Sequence, residues 1–368
     1  LETGTKAAAL GGIVGIFEMP NTDPLTVTPE AMKFKLNRAN QTSYVDYAFY
    51  FGGTAQNSSN LNEWENLNGV CGIKIFMGSS NGNLLSSTDE EIDKILANGK
   101  RVVAVHAEDE DMMNENKISI LGDSNDVAMH HLWRSEESCF NATKRVVAIA
   151  KKYNRKIHIL HLTTAQEMEF LRNHKDVASL EVLPNHLTLS APECYEKLGT
   201  LAQQNPPIRQ KHHQDALWKA VIDGTIDILG SDHAPHTLEE KGGTYPDTPS
   251  GTPGVQTMLP IMLNHVAEGK LSYEKVIDLL AYGPLRIHKI KNKCEIKIGN
   301  DADFTIVDPN KSHIITNNEQ ASKSGWTPYD NKKVKGFPVM TIIRANKVMQ
   351  DGELLSHHSG KEIEFDIS

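Results

Sequence analysis

The feature that most constrains the fold is an alternation between short apolar runs and amphipathic stretches long enough to form helices. Seven apolar runs follow one another between residues 13 and 230, and a polar or glycine-rich loop follows each. They are Ile13–Met19, Tyr47–Phe51, Gly72–Met77, Val102–His106, Ile157–Leu162, Leu180–Leu183 and Ile226–Gly230. Helical patterns between several of them cover Asp89–Ala97, Ser135–Tyr153 and Ala165–Asn173. Such alternation predicts a parallel sheet.

The number of runs favours one parallel-sheet architecture over another. Seven strands fit an α/β TIM-type (β/α)8 barrel that lacks its first strand here better than a doubly wound open sheet. Open sheets of that kind commonly carry a G-x-G-x-x-G or P-loop motif for nucleotides, and this chain has neither. We therefore predict a barrel over residues 1–290.

The character of the sequence changes after residue 290. Glu295–Asp308 and Met340–Met349 each alternate and turn as β-hairpins do, and Asp351-Gly352 is a further turn signal. We predict that residues 291–368 form the C-terminal part of a small β-sandwich module beside the barrel.

Composition excludes several function classes. The 368 residues carry a formal net charge of −9, which argues against a nucleic-acid-binding surface. No apolar run reaches the roughly 18 residues of a transmembrane helix. The four cysteines (Cys71, Cys139, Cys194 and Cys294) form no C-x-x-C pair, so we expect free thiols and a cytoplasmic protein.

Polar side chains stand near the carboxyl ends of four predicted strands: Lys74, His106, His161 and Asp232. Each has an ordinary explanation, since a lone histidine is often a hydrogen-bonded core residue, an aspartate can cap a helix and a lysine can snorkel. Four of them at ends that gather on one barrel face favour a site instead. His158, three positions before His161, is expected to face the other side as an ordinary core histidine.

These residue types suit a metal centre. Zn²⁺ takes histidine nitrogens and carboxylate oxygens as ligands. A lysine ammonium has no lone pair, but a buried lysine has a depressed pKa and its amine can add CO₂ to become a carbamate. Such a carboxylate can bridge two metals about 3.5–4 Å apart. We predict one or two Zn²⁺ ions, with two favoured, held by Lys74, His106, His161 and Asp232.

Several motifs in chain order resemble those of one enzyme family. They are Met19-Pro20-Asn21-Thr22, Asn205-Pro206-Pro207-Ile208-Arg209, Asp232-His233-Ala234-Pro235-His236, Ser250-Gly251-Thr252-Pro253-Gly254 and the G-x-x-A-D pattern at Gly299–Asp303. With the segments around Lys74, His106 and His161, they make the chain resemble the dihydroorotases of the amidohydrolase superfamily over essentially its whole length. Hydantoinases and allantoinases are similar elsewhere but usually carry Cys or Ser after the first histidine of the D-H-A-P-H motif.

The resemblance implies reversible cyclisation of N-carbamoyl-L-aspartate to dihydroorotate by metal-activated water, in pyrimidine synthesis. It implies that Asp232 acts as general base and then general acid. The substrate-binding residues it implies are Asn21, Asn205, His236, Ser250 and Gly251. For the last two, simple loop flexibility is an equal alternative. Arg134 is expected to form a structural ion pair, and a homodimer is usual for the family.

The chain departs from the family at its start. The family's first strand ends in H-x-H-F-R, with two metal ligands, and this sequence begins at Leu1 without that motif. The adjacent pairs His130-His131 and His212-His213 cannot replace it, because neighbouring strand residues point to opposite faces. We expect a fragment of a complete enzyme, since every other motif is present. An inactive dihydroorotase-like scaffold subunit and a hydantoinase-like cyclic amidohydrolase are the alternatives.

Overall fold

The computed structural model describes residues 1–79, 84–355 and 358–366. The strands in these residues are β1 (Gly15–Glu18), β2 (Asp46–Gly52), β3 (Val70–Phe76), β4 (Val103–His106), β5 (Ile157–Ile159), β6 (Ala178–Val182), β7 (Ile228–Leu229), β8 (Phe304–Ile314), β9 (Lys333–Ile343), β10 (Asn346–Gln350) and β11 (Glu353–Leu354).

The α-helices in the same residues are α1 (Glu2–Leu10), α2 (Pro29–Thr42), α3 (Leu61–Trp64), α4 (Asp89–Leu96), α5 (Glu110–Asn116), α6 (His130–Trp133), α7 (Glu136–Tyr153), α8 (Ala165–Arg172), α9 (Pro184–Thr188), α10 (Glu193–Leu198), α11 (Lys211–Ile222), α12 (Leu238–Lys241), α13 (Met258–Ala267), α14 (Tyr273–Ile277) and α15 (Gly283–His288). None of these described helices is long and apolar enough to cross a membrane.

Strands β1 to β7 form one parallel sheet whose spatial order is the order along the chain. All seven apolar runs become its strands, and the three predicted helices are α4, α7 and α8. The sheet curls into a half-barrel, so the predicted barrel-type α/β class is confirmed. Within the described residues no ladder joins β7 back to β1.

The half-barrel is held by apolar side chains on the outer face of its strands. Ile73 and Ile75 in β3 and Val103 and Val105 in β4 are fully buried in the main hydrophobic cluster, where helices cover the sheet. All seven residues of β3 are buried, as expected for a parallel strand covered on both sides. The inner face is therefore free to carry the polar side chains.

The second sheet is antiparallel, with the order β11-β10-β9-β8. The predicted hairpin at 340–349 is confirmed by the β9–β10 pair, and Asp351-Gly352 turns the chain between β10 and β11 with positive φ angles of 51° and 88°. The predicted hairpin at 295–308 is wrong: β8 starts at Phe304 and pairs with β9. Alternation within a segment identifies a strand, but the partner of β8 comes from a distant part of the chain.

The end of the chain returns to the half-barrel. The backbone of Tyr47 in β2 accepts a hydrogen bond from Ile363 (2.9 Å) and donates one to Lys361 (3.0 Å). Ile363 and Phe365 are buried in a cluster inside the half-barrel, and the guanidinium of Arg101 lies 5.0 Å from the Phe365 ring. Because Tyr47 and Arg101 lie at the amino ends of their strands, this segment closes the end opposite the predicted site.

Candidate metal centre and active site

All nine predicted site residues line one cavity of about 1390 Å³. They are Asn21, Lys74, His106, His161, Asn205, Asp232, His236, Ser250 and Gly251. The sheet order explains the convergence, because the carboxyl ends of neighbouring parallel strands open on the same face.

Two histidines meet at the ends of neighbouring strands. His106 is the last residue of β4, and His161 follows β5 in a backbone with a positive φ of 38°. The Nδ1 atom of His106 lies 3.1 Å from the Nε2 atom of His161. Burial lowers the pKa of both imidazoles, so both rings are neutral in this setting.

The tautomer of His106 follows from its other neighbour. Its Nε2 atom lies 2.8 Å from an oxygen of the Glu108 carboxylate, which can only accept a hydrogen bond. Nε2 therefore carries the proton, and the lone pair of Nδ1 points towards His161. Two nitrogens bound to one tetrahedral Zn²⁺ at about 2.0–2.1 Å are roughly 3.3 Å apart. The pair thus fits a shared metal ion.

Glu108 is held in turn by Arg134. The guanidinium donates from Nε to Oε1 (3.1 Å) and from Nη2 to Oε2 (2.5 Å), and both side chains are buried. Burial raises the pKa of Glu108, but Arg134 and His106 outweigh it and hold that pKa well below its usual range. The ion pair expected of Arg134 is present, and it keeps the carboxylate that contacts His106 ionised.

Lys74 is a buried amine. Its side chain is 1% exposed, its Nζ donates to the carbonyl of Ile75 (2.9 Å), and Nζ lies 3.7 Å from the centre of the Phe76 ring. Within the described residues no carboxylate lies within 4.0 Å of it. Burial lowers its pKa well below the usual value, against the opposing charges of Asp232 and Glu181. The neutral amine is the form that reacts with CO₂.

Asp232 is one of the acidic residues that line the cavity. It follows β7 with a positive φ of 39°, and burial, with a smaller contribution from Glu181, raises its pKa to about 7 although Lys74 opposes the shift. Its oxygens and the nitrogens of His106 and His161 do not all lie within 4.8 Å of one another in the described structure. The carboxyl group therefore shares the cavity without touching both histidines.

Glu181 was missed by the sequence analysis. It belongs to β6, lines the cavity, and its Oε1 accepts the backbone N–H of His161 (3.2 Å). A Cβ on Gly230 would lie 2.4 Å from its carboxyl carbon, so a side chain at position 230 would displace the Glu181 carboxylate. The only signal for Glu181 was an acid within an apolar run.

The predicted orientation of His158 is wrong. Ile157 and Ile159 face the helices, so His158 faces the barrel interior, where Nδ1 lies 2.8 Å from the Ser179 hydroxyl. His158 and His161 are three residues apart. Residues an odd number of positions apart face opposite sides only while one strand continues through both of them. The strand ends at Ile159, and the turn at His161 redirects its ring inward.

The segment that carries Ser250 and Gly251 is tied to Gln203. The backbone N–H of Gly251 donates to the Gln203 carbonyl (2.9 Å), and the Gln203 side chain donates to the Ser250 hydroxyl (3.1 Å). Gly251 has a φ of 140°, and a Cβ there would lie 2.5 Å from the carbonyl oxygen of Ala234. Glycine at this position therefore allows the backbone to lie close to the backbone of Ala234.

A buried lysine reinforces this tie. Lys241 is 1% exposed, and its Nζ donates to the carbonyls of Gln203 (3.0 Å) and Pro249 (2.9 Å). Burial lowers its pKa to about 7. The sequence analysis had assigned no role to Lys241.

A second group of metal-type side chains lies away from the cavity, at Glu136, His212 and His213. Nδ1 of His213 accepts the backbone N–H of Ala165 (3.0 Å), so its Nε2 carries the proton and donates to Glu136 (2.7 Å). His213 therefore has no lone pair left for a metal in this arrangement.

The third group, Asp46, Asp301 and Asp303, is already neutralised. Nζ of Lys293 lies 2.6–2.7 Å from all three carboxylates, and Arg344 also binds Asp46. This cluster joins the half-barrel to the chain around the antiparallel sheet.

Comparison with known proteins identifies the family. The model of the amidohydrolase family matches residues 1–348. The chain belongs to the amidohydrolase family. This amidohydrolase is 33% identical to a dihydroorotase of Pyrococcus furiosus over 99% of this chain and 79% of that protein. It is 32% identical to a dihydroorotase of Halobacterium salinarum, over 98% of this chain and 83% of the relative.

Solved structures show the same fold. An L-hydantoinase (dihydropyrimidinase) from Arthrobacter aurescens superimposes on this amidohydrolase with a TM-score of 0.93 at 27% identity, covering 98% of this chain and 83% of the other. A dihydropyrimidinase from Brevibacillus agri gives a TM-score of 0.90 at 25% identity, with coverages of 98% and 82%. The architecture of this chain is thus that of these hydantoinase and dihydropyrimidinase structures.

Proposed function

We propose that this amidohydrolase is a dihydroorotase, which interconverts N-carbamoyl-L-aspartate and dihydroorotate in pyrimidine biosynthesis. The observation that carries the proposal is the turn from Asp232 to His236, which brings an acid with a pKa near 7 and a histidine into the cavity of the His106–His161 pair. Full-length similarity to proteins named dihydroorotase supports this choice of substrate.

We propose that the residues that would hold Zn²⁺ are His106 through Nδ1, His161 through Nε2, Asp232, and Lys74 after its amine has added CO₂ with loss of a proton. The fixed lone pair of His106 and the neutral buried amine of Lys74 support this donor set. When bound, the metal polarises a carbonyl group and lowers the pKa of a water molecule to about 7. Two ions fit the proposal if the carbamate bridges them.

The protein's own residues then have separate tasks. In the hydrolytic direction Asp232 takes a proton from the attacking water and delivers it to the leaving ring nitrogen; in cyclisation the proton moves the other way. A pKa of about 7 suits a group that must both accept and donate at neutral pH. Asn21, Asn205 and His236 would bind the substrate carboxylate and ring oxygens, with Ser250 and Gly251 beside them.

Two alternatives have specific observations in their favour or against them. The solved hydantoinase with a TM-score of 0.93 favours hydrolysis of hydantoin-like rings as the second candidate. An inactive scaffold is disfavoured by the buried Lys74, which has no ion-pair partner among the described residues, and by the raised pKa of Asp232. Both cost folding free energy, which a scaffold has no reason to retain.

A paired assay tests the proposal. The zinc-loaded protein is assayed for cyclisation of N-carbamoyl-L-aspartate and for hydrolysis of hydantoin and dihydrouracil. We expect the first reaction to dominate and Asp232→Asn to lower its kcat by about 10²–10⁴-fold with folding unchanged. Faster hydantoin hydrolysis would favour the second candidate, and no turnover by the zinc-loaded protein would favour the scaffold.

We also propose a cytoplasmic location, which the four free cysteines support, since disulfides are rare in reducing compartments. The homodimer expected from the family resemblance stays a prediction.

A further inference from the structure

A chain of buried hydrogen bonds runs to Asn205 from a part of the structure that the proposed reaction does not use. The indole nitrogen of Trp133 lies 2.5 Å from the Tyr245 hydroxyl, and that hydroxyl lies 3.2 Å from Nδ1 of His130. Nε2 of His130 lies 3.0 Å from Oδ1 of Asn205 and 3.1 Å from the carbonyl oxygen of Gln204. His130, Tyr245 and Trp133 are all buried.

The direction of every bond in this chain follows from the chemistry of its ends. An indole N–H can only donate, so the Tyr245 oxygen accepts a hydrogen bond from Trp133. At the other end the carbonyl of Gln204 can only accept, so Nε2 of His130 carries the ring proton. Burial lowers the pKa of His130, so the ring is neutral and carries this one proton. Nδ1 therefore has a lone pair and accepts a hydrogen bond from the Tyr245 hydroxyl.

The fixed tautomer sets the orientation of the Asn205 amide. Since Nε2 of His130 donates, the atom of Asn205 that faces it must be the oxygen. The amide nitrogen is then turned away from His130, and within the described residues it has no hydrogen-bond partner. Asn205 lines the cavity, so this nitrogen is available to a ligand there.

The backbone that carries Asn205 is held separately. The Gln204 side chain accepts from the amide of Asn185 (2.8 Å) and lies 2.8 Å from Nε2 of His186. Tyr329 donates to the amide oxygen of Asn185 (2.6 Å). These buried contacts fix the backbone of the turn. The rotation of the Asn205 side-chain amide is then determined by its hydrogen bond with His130.

We propose that His130, Tyr245 and Trp133 are positioning residues that hold Asn205 with its amide nitrogen towards the cavity, so that Asn205 recognises an acceptor oxygen of the ligand. This deepens the proposed function and rests on it for the identity of that oxygen, which belongs to the carboxylate or a ring carbonyl of the substrate. Tyr245 lies five residues before Ser250 in the same segment. These three residues, called the relay below, thus join that segment to Asn205.

Substitution of Asn205 separates the two possible orientations. Asn205→Asp keeps an oxygen at each position but cannot donate, and its charge repels a substrate carboxylate. We expect KM for N-carbamoyl-L-aspartate to rise about a hundredfold with a smaller change in kcat. A KM within a few fold of the wild-type value would show that no donor is needed at this position, which would overturn the proposal.

Substitutions in the relay test the positioning role. His130→Phe and Tyr245→Phe remove donors and keep the ring volume, and we expect KM to rise about tenfold for each, with unchanged zinc content and Tm within a few degrees. His130→Gln can still donate to Asn205 and should restore part of the loss. His131→Phe is the matched control, because His131 stacks on Tyr195 at 5.5 Å and does not contact Asn205. Equal KM values for all four variants would contradict the relay.

A readout that needs no turnover keeps this inference distinct from the proposed function. In ¹⁵N NMR spectra of the wild-type protein, His130 should show a protonated Nε2 and an unprotonated Nδ1, whichever substrate the enzyme uses. A protonated Nδ1 would overturn the relay even if carbamoyl-aspartate is cyclised. The expected tautomer without such cyclisation would leave the relay standing and remove only the proposed substrate.

Discussion

His106 and His161 face each other across two neighbouring strand ends, with 3.1 Å between Nδ1 of the first and Nε2 of the second. The contact follows from the parallel register of β4 and β5, which brings the ends of the two strands side by side. Because Glu108 fixes the proton of His106 on its far nitrogen, the near nitrogen is free to bind a cation. The strand ends therefore hold two nitrogen atoms at a separation that would suit one Zn²⁺ ion.

Removing one of these ligands should release the metal. We expect His161→Ala to weaken zinc binding by at least about 100-fold, because a direct ligand is lost and second-layer changes alone already cost 10–100-fold. Zinc content after dialysis, measured by mass spectrometry, gives the result. His212→Ala is the control, since His212 is exposed in the other histidine group. Loss of zinc from the control but not from His161→Ala would place the metal elsewhere.

Glu108→Gln should affect both metal binding and stability. The variant leaves the Arg134 guanidinium buried without its carboxylate, which typically costs about 3–5 kcal/mol of unfolding free energy. It also removes the carboxylate that orients His106, so we expect zinc affinity to fall about 10–100-fold. Denaturant unfolding and zinc titration measure the two effects. A variant with wild-type stability and affinity would refute the role assigned to the Glu108–Arg134 pair.

Lys241 gives the fold a pH-dependent element remote from the histidine pair. Its pKa is lowered to about 7 in the folded protein from an ordinary value of 10.5. Between those values the unfolded chain binds one more proton than the folded protein, so this lysine makes stability rise with pH. Relative to Lys241→Met, the wild type should gain about 2 kcal/mol from pH 7 to pH 9. Unfolding free energies that differ by the same amount at both pH values would contradict this.

The returning C-terminal segment should contribute measurably to stability. Phe365 is 6% exposed inside the half-barrel, so Phe365→Ala should lower the unfolding free energy by about 3–5 kcal/mol. Phe34→Ala is the matched control because Phe34 is 59% exposed, and a change within about 0.5 kcal/mol is expected there. Comparable losses from both variants in denaturant unfolding would show that Phe365 has no special place in the core.

The sequence was most informative where one local rule sufficed. Apolar runs identify parallel strands, and the rule that their carboxyl ends share a face brings Lys74, His106, His161 and Asp232 to one cavity. This prediction did not depend on knowing the conformations of the loops that connect the strands.

What the sequence could not provide depends on local backbone turns and on contacts between distant segments. His158 was assigned to the wrong face because the strand ends two residues before His161. The partner of β8 and the His130–Tyr245 contact join segments far apart along the chain. Periodicity carries no information about such pairings.

A metal ion shared by His106 and His161 can be located by X-ray diffraction from zinc-grown crystals of the protein, recorded on both sides of the zinc absorption edge. We predict an anomalous peak about 2.0–2.1 Å from both Nδ1 of His106 and Nε2 of His161. A peak at Glu136 and His213 instead, or no peak between the two cavity histidines, would contradict it.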